Sequence, residues 1–237
     1  MPTFSQFDRR GYACVDVRTG YGEWSATYER TVEDVMDLAL LDRLATPDWS
    51  GARRAADLGC GTGRTAAWLR SRGVIAIDGV DLTPPMLALA RRRGAHDRLI
   101  EADATDTGLP GGGYDLAVSC LMDEHLADLA PLYAEAARLT RPGGLFVLVG
   151  YHPHFMMMSG MPTHYRDGTG TPRAITTHLH LIGEQVAAGL AAGWSLIEMR
   201  ENVVDESWLE VKPRWGDFLG HPFTFALVWQ RGPATVS

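Results

Sequence analysis

The chain has 237 residues, 46% hydrophobic and 22% charged, the make-up of a soluble globular protein able to bury a sizeable core. A formal net charge of −7 argues against a nucleic-acid surface, because neutralising phosphates needs a basic stripe. Cys14, Cys60 and Cys120 are odd in number and far apart, which excludes a disulfide framework or a zinc spacing. No apolar run approaches the roughly 18 residues that span a bilayer. The N-terminus lacks the charged start and apolar core of a signal peptide, so a cytoplasmic location without membrane or nucleic-acid partners is expected.

Residues 1–30 are aromatic and polar without a clean period, and carry the segment Tyr21-x-x-Trp24-x-x-x-Tyr28. A helix is predicted over Thr31–Leu41, capped by Thr31 with Asp34, with Val32, Val35, Met36, Ala39 and Leu40 at helical spacing. Pro47-Asp48-Trp49-Ser50-Gly51 breaks it. Next comes the most informative stretch, Ala55-Ala56-Asp57-Leu58-Gly59-Cys60-Gly61-Thr62-Gly63-Arg64. An apolar strand ends in an acid, alternating glycines make a tight turn, and a helix begins at Thr65. Such glycines allow positive φ and let the backbone lie against a ligand, while the helix start offers unpaired N–H groups.

Val74–Asp81 is a second apolar strand ending in an acid, and Leu82–Gly94 a second helix with Thr83 as N-cap, Pro84 at its first position and Gly94 as its stop. Arg91-Arg92-Arg93 falls in its last turn, where cations complement the dipole. Leu99–Ala104 forms a third strand that again terminates in an acid, Asp103, and Tyr114–Cys120 a fourth. A helix runs to Leu139, Thr140–Gly144 turns, and Leu145–Gly150 is the fifth strand. Further on, Glu184–Ala192 is helical, Trp194–Arg200 and Phe223–Gln230 are the last strands, and a short helix starting at Glu206 lies between them.

Asp57-x-Gly59-x-Gly61-x-Gly63 resembles the first motif of class I S-adenosylmethionine-dependent methyltransferases. The fragment from Gly61 to Ala66 also fits a dinucleotide fingerprint. The Tyr-Asp strand at 114–115, the helix after it and the Arg141-Pro142-Gly143-Gly144 turn favour the methyltransferase family, over roughly residues 20–150. The resemblance implies an α/β, Rossmann-like three-layer sandwich whose seven-stranded, mostly parallel sheet closes with an antiparallel last strand. It implies one domain over 1–237: an N-terminal helical lid (1–50), a cofactor-binding core (51–150), an acceptor-pocket insertion (151–185) and closing helices and strands (186–237).

The implied cofactor is S-adenosylmethionine. Asp57 would face its ammonium, Asp81 its ribose hydroxyls and Asp103 its adenine amine, with Leu82 and Met86 on the ring. Gly59, Cys60, Gly61, Gly63, Ala104 and Ser119 complete the expected shell, and Tyr21 and Tyr28 fold over it.

Beyond residue 150 the chain is dense in His, Met and aromatics: Tyr151-His152-Pro153-His154-Phe155-Met156-Met157-Met158 leaves the carboxyl end of the fifth strand. Histidine is the usual base near neutral pH. His152 is the first choice because it is nearest the strand end, His125 and His154 share the same rim, and Tyr21 is the hydrogen-bonding partner. The pairs His152/His154 and His178/His180 lack acidic or Cys partners at ligand spacing, so no metal is expected. The expected function is methyl transfer to a mainly apolar, aromatic small molecule in specialised metabolism, by a monomer or homodimer. C-methylation of an indole or phenol, against O- or N-methylation, stays open, as does a cofactor-binding protein that performs no transfer.

Overall fold

The computed structural model describes residues 3–32 and 36–233. A short strand, Ala13–Val15 (β1), leads into the helix Val17–Trp24 (α1), whose N-cap Asp16 accepts from the Thr19 N–H at 2.9 Å. This is the side-chain cap that satisfies one orphan helix donor. A 3-10 turn follows over Tyr28–Arg30. Within the helix predicted over Thr31–Leu41, the described residues form an α-helix at Leu38–Leu41 (α2), capped by Asp37. Thr31 instead accepts the Trp24 indole N–H at 2.9 Å. Asp34 and Val35 of that expectation lie outside the described residues.

The central sheet assembles from Arg54–Leu58 (β2), then Arg64–Ser71 (α3), Ala76–Asp81 (β3), Pro84–Arg93 (α4), Arg98–Glu101 (β4) and Tyr114–Cys120 (β5). A 3-10 turn at Asp123–His125 precedes Ala130–Leu139 (α5) and the long strand Thr140–Tyr151 (β6). The expected turn at 140–144 is taken up inside β6 as an irregularity, where the pairing with β5 shifts register between Tyr114 and Leu116. Then come Pro153–Ser159 (α6), His164–Arg166 (β7), Pro172–Ile175 (β8), Ile182–Ala191 (α7), Trp194–Val203 (β9), Glu206–Val211 (α8) and Pro222–Arg231 (β10).

The strand order is β4-β3-β2-β5-β6-β10-β9. Pairings are parallel from β4 through β6, and β10 runs antiparallel to both β6 and β9. This is the α/β, Rossmann-like fold the sequence implies. Alternate residues of each strand feed two cores. Ala56, Ala117, Phe146, Leu227 and Trp229 pack with α5 and α7, while Ala55, Leu116, Val118, Val147 and Val228 pack with α2 and α3. That is the period-2 rule of a strand buried on both faces.

A second sheet, in the order β1-β8-β7, was not foreseen. β1 from the N-terminal segment pairs in parallel with β8 of the insertion, so lid and insertion are hydrogen-bonded to one another. Three-residue strands give too little alternation to read from sequence. No helix of the described residues is long and apolar enough to cross a membrane.

Gly189 shows how tightly α7 lies on the sheet, since a Cβ there would stand 2.5 Å from the fully buried ring of Trp229. The helix-propensity gain of about 1 kcal/mol from Gly to Ala is set against overpacking that costs about 1–3 kcal/mol. Gly189→Ala should therefore lower stability, read as a lower denaturant midpoint with unchanged m-value.

Candidate active site

Parallel α/β sheets place ligands beyond the carboxyl ends of their strands. Here those ends open into a cleft of about 800 Å³, counting space open to solvent. Gly59 and Gly61 form its floor, with φ of +72° and +51°. A Cβ on Gly59 would meet Met122 at 2.7 Å, so only glycine suits both the backbone and the space. At the tip of β3, Asp81 accepts the Gly61 N–H through Oδ2 and the Thr83 N–H through Oδ1, each at 2.8 Å. Burial raises its pKa while these two donors oppose the shift. Its carboxylate thus braces the glycine turn and retains lone pairs for a ligand.

Beyond β4, Asp103 folds back on Thr105, accepting its N–H at 2.8 Å and its hydroxyl at 2.7 Å. Leu82, Met86 and Ala104 line the cleft between these two acids. On the other side α1 brings Tyr21, and the turn after it Tyr28, to the same space. Their rings cluster with Trp24, at centroid separations of 5.7 Å for Tyr21–Trp24 and 4.9 Å for Trp24–Tyr28. Leu121, a cleft residue between β5 and the 3-10 turn, holds a positive φ of 54°. Side chains other than glycine rarely accept that conformation, and it concentrates at functional sites.

His125 is the histidine the fold brings to the cleft. Its Nδ1 lies 2.7 Å from the Thr176 carbonyl and its Nε2 lies 2.8 Å from the Tyr21 hydroxyl. A carbonyl only accepts, so Nδ1 carries the hydrogen, Nε2 is an acceptor, and Tyr21 donates to it. Burial lowers the His125 pKa to about 4, keeping the ring neutral near pH 7. Burial also lifts the Tyr21 phenol far above its usual range, so its proton stays on oxygen. A narrower extension of the cleft runs past Tyr28 and Cys60 to the buried pair Arg64–Asp37, joined at 2.8 Å.

Several expected positions lie elsewhere. Asp57 does not line the cleft; it is buried and its Oδ2 meets Nε2 of His96 at 3.1 Å. The His96 ring is wholly buried against Gly63 and Gly79, neither of which has room for a Cβ without displacing it. Gly63 and Ser119 are also off the cleft wall, Gly63 acting as the αL residue before α3 and Ser119 lying inside β5. His152 pairs with Glu201 at 2.9 Å and His154 with His221 at 3.0 Å, and neither lines the cleft. Chain proximity to the end of β6 misled here, because α6 carries both rings toward β9 and β10. Among the described residues no cluster of His, Cys, Asp and Glu is arranged to hold a metal.

Asp37, Arg64, Thr83, Met122 and His96 went unforeseen. Asp37 and His96 belong to no local motif, and their partners lie 27 and 39 residues away along the chain.

Residues 56–148 match the family model of a methyltransferase domain. The chain is 37% identical over 106 residues to a demethylmenaquinone methyltransferase of Thermus thermophilus, covering 43% of this chain and 48% of that protein. It is also 37% identical over 91 residues to a malonyl-[acyl-carrier protein] O-methyltransferase of Serratia marcescens, covering 38% and 35%. The match thus spans half or less of these curated relatives. A solved S-adenosylmethionine-dependent methyltransferase from Mesorhizobium loti superposes with a TM-score of 0.63 at 25% identity, covering 82% of this chain and 96% of that one. Residues 56–148 thus belong to the methyltransferase domain family, and the fold around them is that of the S-adenosylmethionine-dependent methyltransferases. In this domain the acid of the glycine motif faces inward to a histidine instead of lining the cleft.

Replacing that histidine tests the arrangement. His96→Ala would leave the Asp57 carboxyl without its partner beside an empty ring-sized space. A loss of about 2–5 kcal/mol is expected, measured by chemical denaturation, and His96→Gln should recover part of it.

Proposed function

We propose that this protein transfers a methyl group from S-adenosylmethionine to a mainly apolar, aromatic small molecule bearing one polar, proton-bearing atom. The observation that carries the reading is one cleft lined both by Asp81 and Asp103 and by the hydrogen-bonded His125–Tyr21 pair. Asp81 suits a cis-diol, because a carboxylate bonded once on each oxygen can still accept from two hydroxyls. Asp103, Leu82 and Met86 suit an adenine edge and face. The Arg64–Asp37 pair at the narrow end, beside the N-terminus of α3, suits the charged amino-acid tail in place of Asp57.

When bound, S-adenosylmethionine supplies a methyl carbon made electrophilic by its sulfonium. The residues of this chain would do the rest. Val17, Leu121, Met122 and Leu126 give the cleft apolar walls, and the Tyr21 and Tyr28 rings, packed against the buried Trp24, suit an aromatic acceptor. Holding an acceptor in line with the methyl carbon lowers the barrier by several kcal/mol, on the order of the gains from proximity. The Nε2 lone pair of His125 accepts from the Tyr21 hydroxyl inside the cleft, so Tyr21 can take an acceptor's proton while it passes its own to Nε2, which is general-base catalysis through a hydroxyl. The pairing favours an O–H or ring-carbon acceptor over an amine. The apolar walls agree with the acceptor named for the Thermus relative more closely than with a carrier-bound malonyl group.

Calorimetric titration should show S-adenosylhomocysteine binding and no NAD binding; NAD binding instead would sink the reading. Asp81→Ala should weaken the former by about 100-fold, as loss of hydrogen bonds to a charged group implies. In an assay over phenols, indoles and quinols, His125→Ala and Tyr21→Phe should slow transfer by about 10²-fold or more, whereas His152→Ala should leave the rate within a few-fold.

A further inference from the structure

Next to His125 in the same 3-10 turn lie two carboxyls, Asp123 and Glu124, 4% and 3% exposed. Asp123 Oδ2 accepts from the Gln185 amide at 2.6 Å, and Gln185 in turn accepts from the Tyr133 hydroxyl at 2.9 Å. Gly150 leaves the room for it, since a Cβ there would stand 2.6 Å from Asp123 Oδ1. One oxygen of each acid, Asp123 Oδ1 and Glu124 Oε2, is buried with no partner. What separates them is their neighbours: Asp123 is tied through Gln185 to the scaffold, whereas the side-chain donor to Glu124 Oε1 is the Thr163 hydroxyl at 3.2 Å. The same Oε1 lies 3.6 Å from Nε2 of His125, the nitrogen that accepts from Tyr21.

Burying a carboxyl beside a histidine without tying it down is costly unless the site uses it. Resting on the function proposed above, we propose that Glu124 is the end of a proton relay that runs from the acceptor through Tyr21 and His125. As the acceptor's electron pair forms the bond to the methyl carbon, the carbon–sulfur pair leaves on sulfur. The acceptor's proton goes to the Tyr21 oxygen as Tyr21 hands its own to Nε2. The imidazolium then carries hydrogens on both nitrogens, Nδ1–H on the Thr176 carbonyl and Nε2–H between the Tyr21 oxygen at 2.8 Å and Glu124 Oε1 at 3.6 Å, and a turn of the Glu124 side chain that closes the longer gap would let Oε1 take the second. A neutral imidazole and a neutral carboxylic acid remain, and the carboxyl returns the proton to solvent when the site opens.

Such a buried imidazolium has no solvent to stabilise it, so the carboxylate beside it supplies the compensating charge. Burial raises the Glu124 pKa and lowers that of His125, so the relay runs downhill toward the carboxyl. Groups facing the pair are Asp123, the Tyr21, Tyr28 and Tyr151 hydroxyls, Thr163 of the insertion, and His178, whose backbone N–H bonds the Glu124 carbonyl. His180 faces Asp123. Glu124 works through His125 and does not touch the acceptor, which makes it a positioning residue. The acceptor class narrows accordingly to one that must lose a proton.

The test needs no acceptor. Protein with ¹⁵N-labelled histidine and ¹³C-carboxyl glutamate is titrated by NMR, alone and saturated with S-adenosylhomocysteine. The relay predicts His125 as the neutral tautomer with hydrogen on Nδ1. It also predicts one glutamate carboxyl titrating above the ordinary range, with the His125 Nε2 signal shifting in the same step. Glu124→Gln should abolish both the carboxyl step and the Nε2 shift, while calorimetric affinity for S-adenosylhomocysteine stays within about 3-fold. If Glu124→Gln does not fold, Thr163→Val serves, since removing the donor should move both steps together to higher pH. Hydrogen on Nε2, or an Nε2 signal indifferent to the carboxyl's titration, overturns the relay. A failure to bind S-adenosylhomocysteine overturns the proposed function instead and leaves the unliganded titration to judge the relay.

Discussion

The hydrogen bond between the Tyr21 hydroxyl and Nε2 of His125 joins parts of the chain that share no sequence neighbourhood. Tyr21 comes from α1, His125 from the turn after β5, and the carbonyl that fixes the imidazole tautomer from Thr176, just past β8. β1 pairs with β8, so the segment that lays α1 over the cleft is the one that positions Thr176. The small sheet and the lid are thus one hydrogen-bonded unit, and the histidine is one of its buried attachments to the core, beside the Thr163 and His178 bonds to Glu124. Two exposed ion pairs, Arg18–Glu101 and Arg93–Glu29, join the same unit to β4 and α4. Exposed pairs of this kind contribute only about 0–1 kcal/mol each, so closure depends mainly on the aromatic contacts and the buried hydrogen bond.

Burial sorts the acids of this chain into different tasks. Asp78, held by Arg98 and the Tyr114 hydroxyl, has its pKa lowered and is part of the frame. Asp81 is bonded by backbone N–H groups at a strand tip and still opens on the cleft. Asp57 is turned inward to His96, and Glu124 is buried with an oxygen unused. The residue type is similar in all four. Which neighbour supplies the hydrogen bonds, and whether a cleft reaches the remaining lone pairs, separates a structural acid from a binding one.

How far the sequence led can be judged from particular residues. The strand ending at Asp81 was legible because a parallel strand buried on both faces reads as a mostly apolar run that an acid closes, whereas β4, an exposed edge strand, showed only the pair Leu99-Ile100 ahead of its acids. The glycine turn was legible because positive φ beside a ligand surface leaves few other residues possible. His152 and His154 looked closest to the reaction only because they follow β6 directly. The backbone then enters α6, and their rings meet Glu201 and His221. The acid at 57 looked like a ligand group because it precedes the glycines, yet a strand alternates its side chains between faces and this one points to His96.

By itself, then, the amino-acid order determined the separate strands and helices, the glycine turn and the acids at the strand tips, which depend on periodicity and backbone conformation within a few residues. The seven-stranded order and its antiparallel closing strand were implied by the family resemblance those motifs carry. Tertiary structure alone decided which histidine reaches the cleft, which tautomer it holds, and that Asp57 faces away. It also paired an N-terminal strand with the insertion and set Arg64 against Asp37. Those outcomes depend on contacts between segments far apart in the chain, where direction and distance are set by packing and leave no local pattern to read.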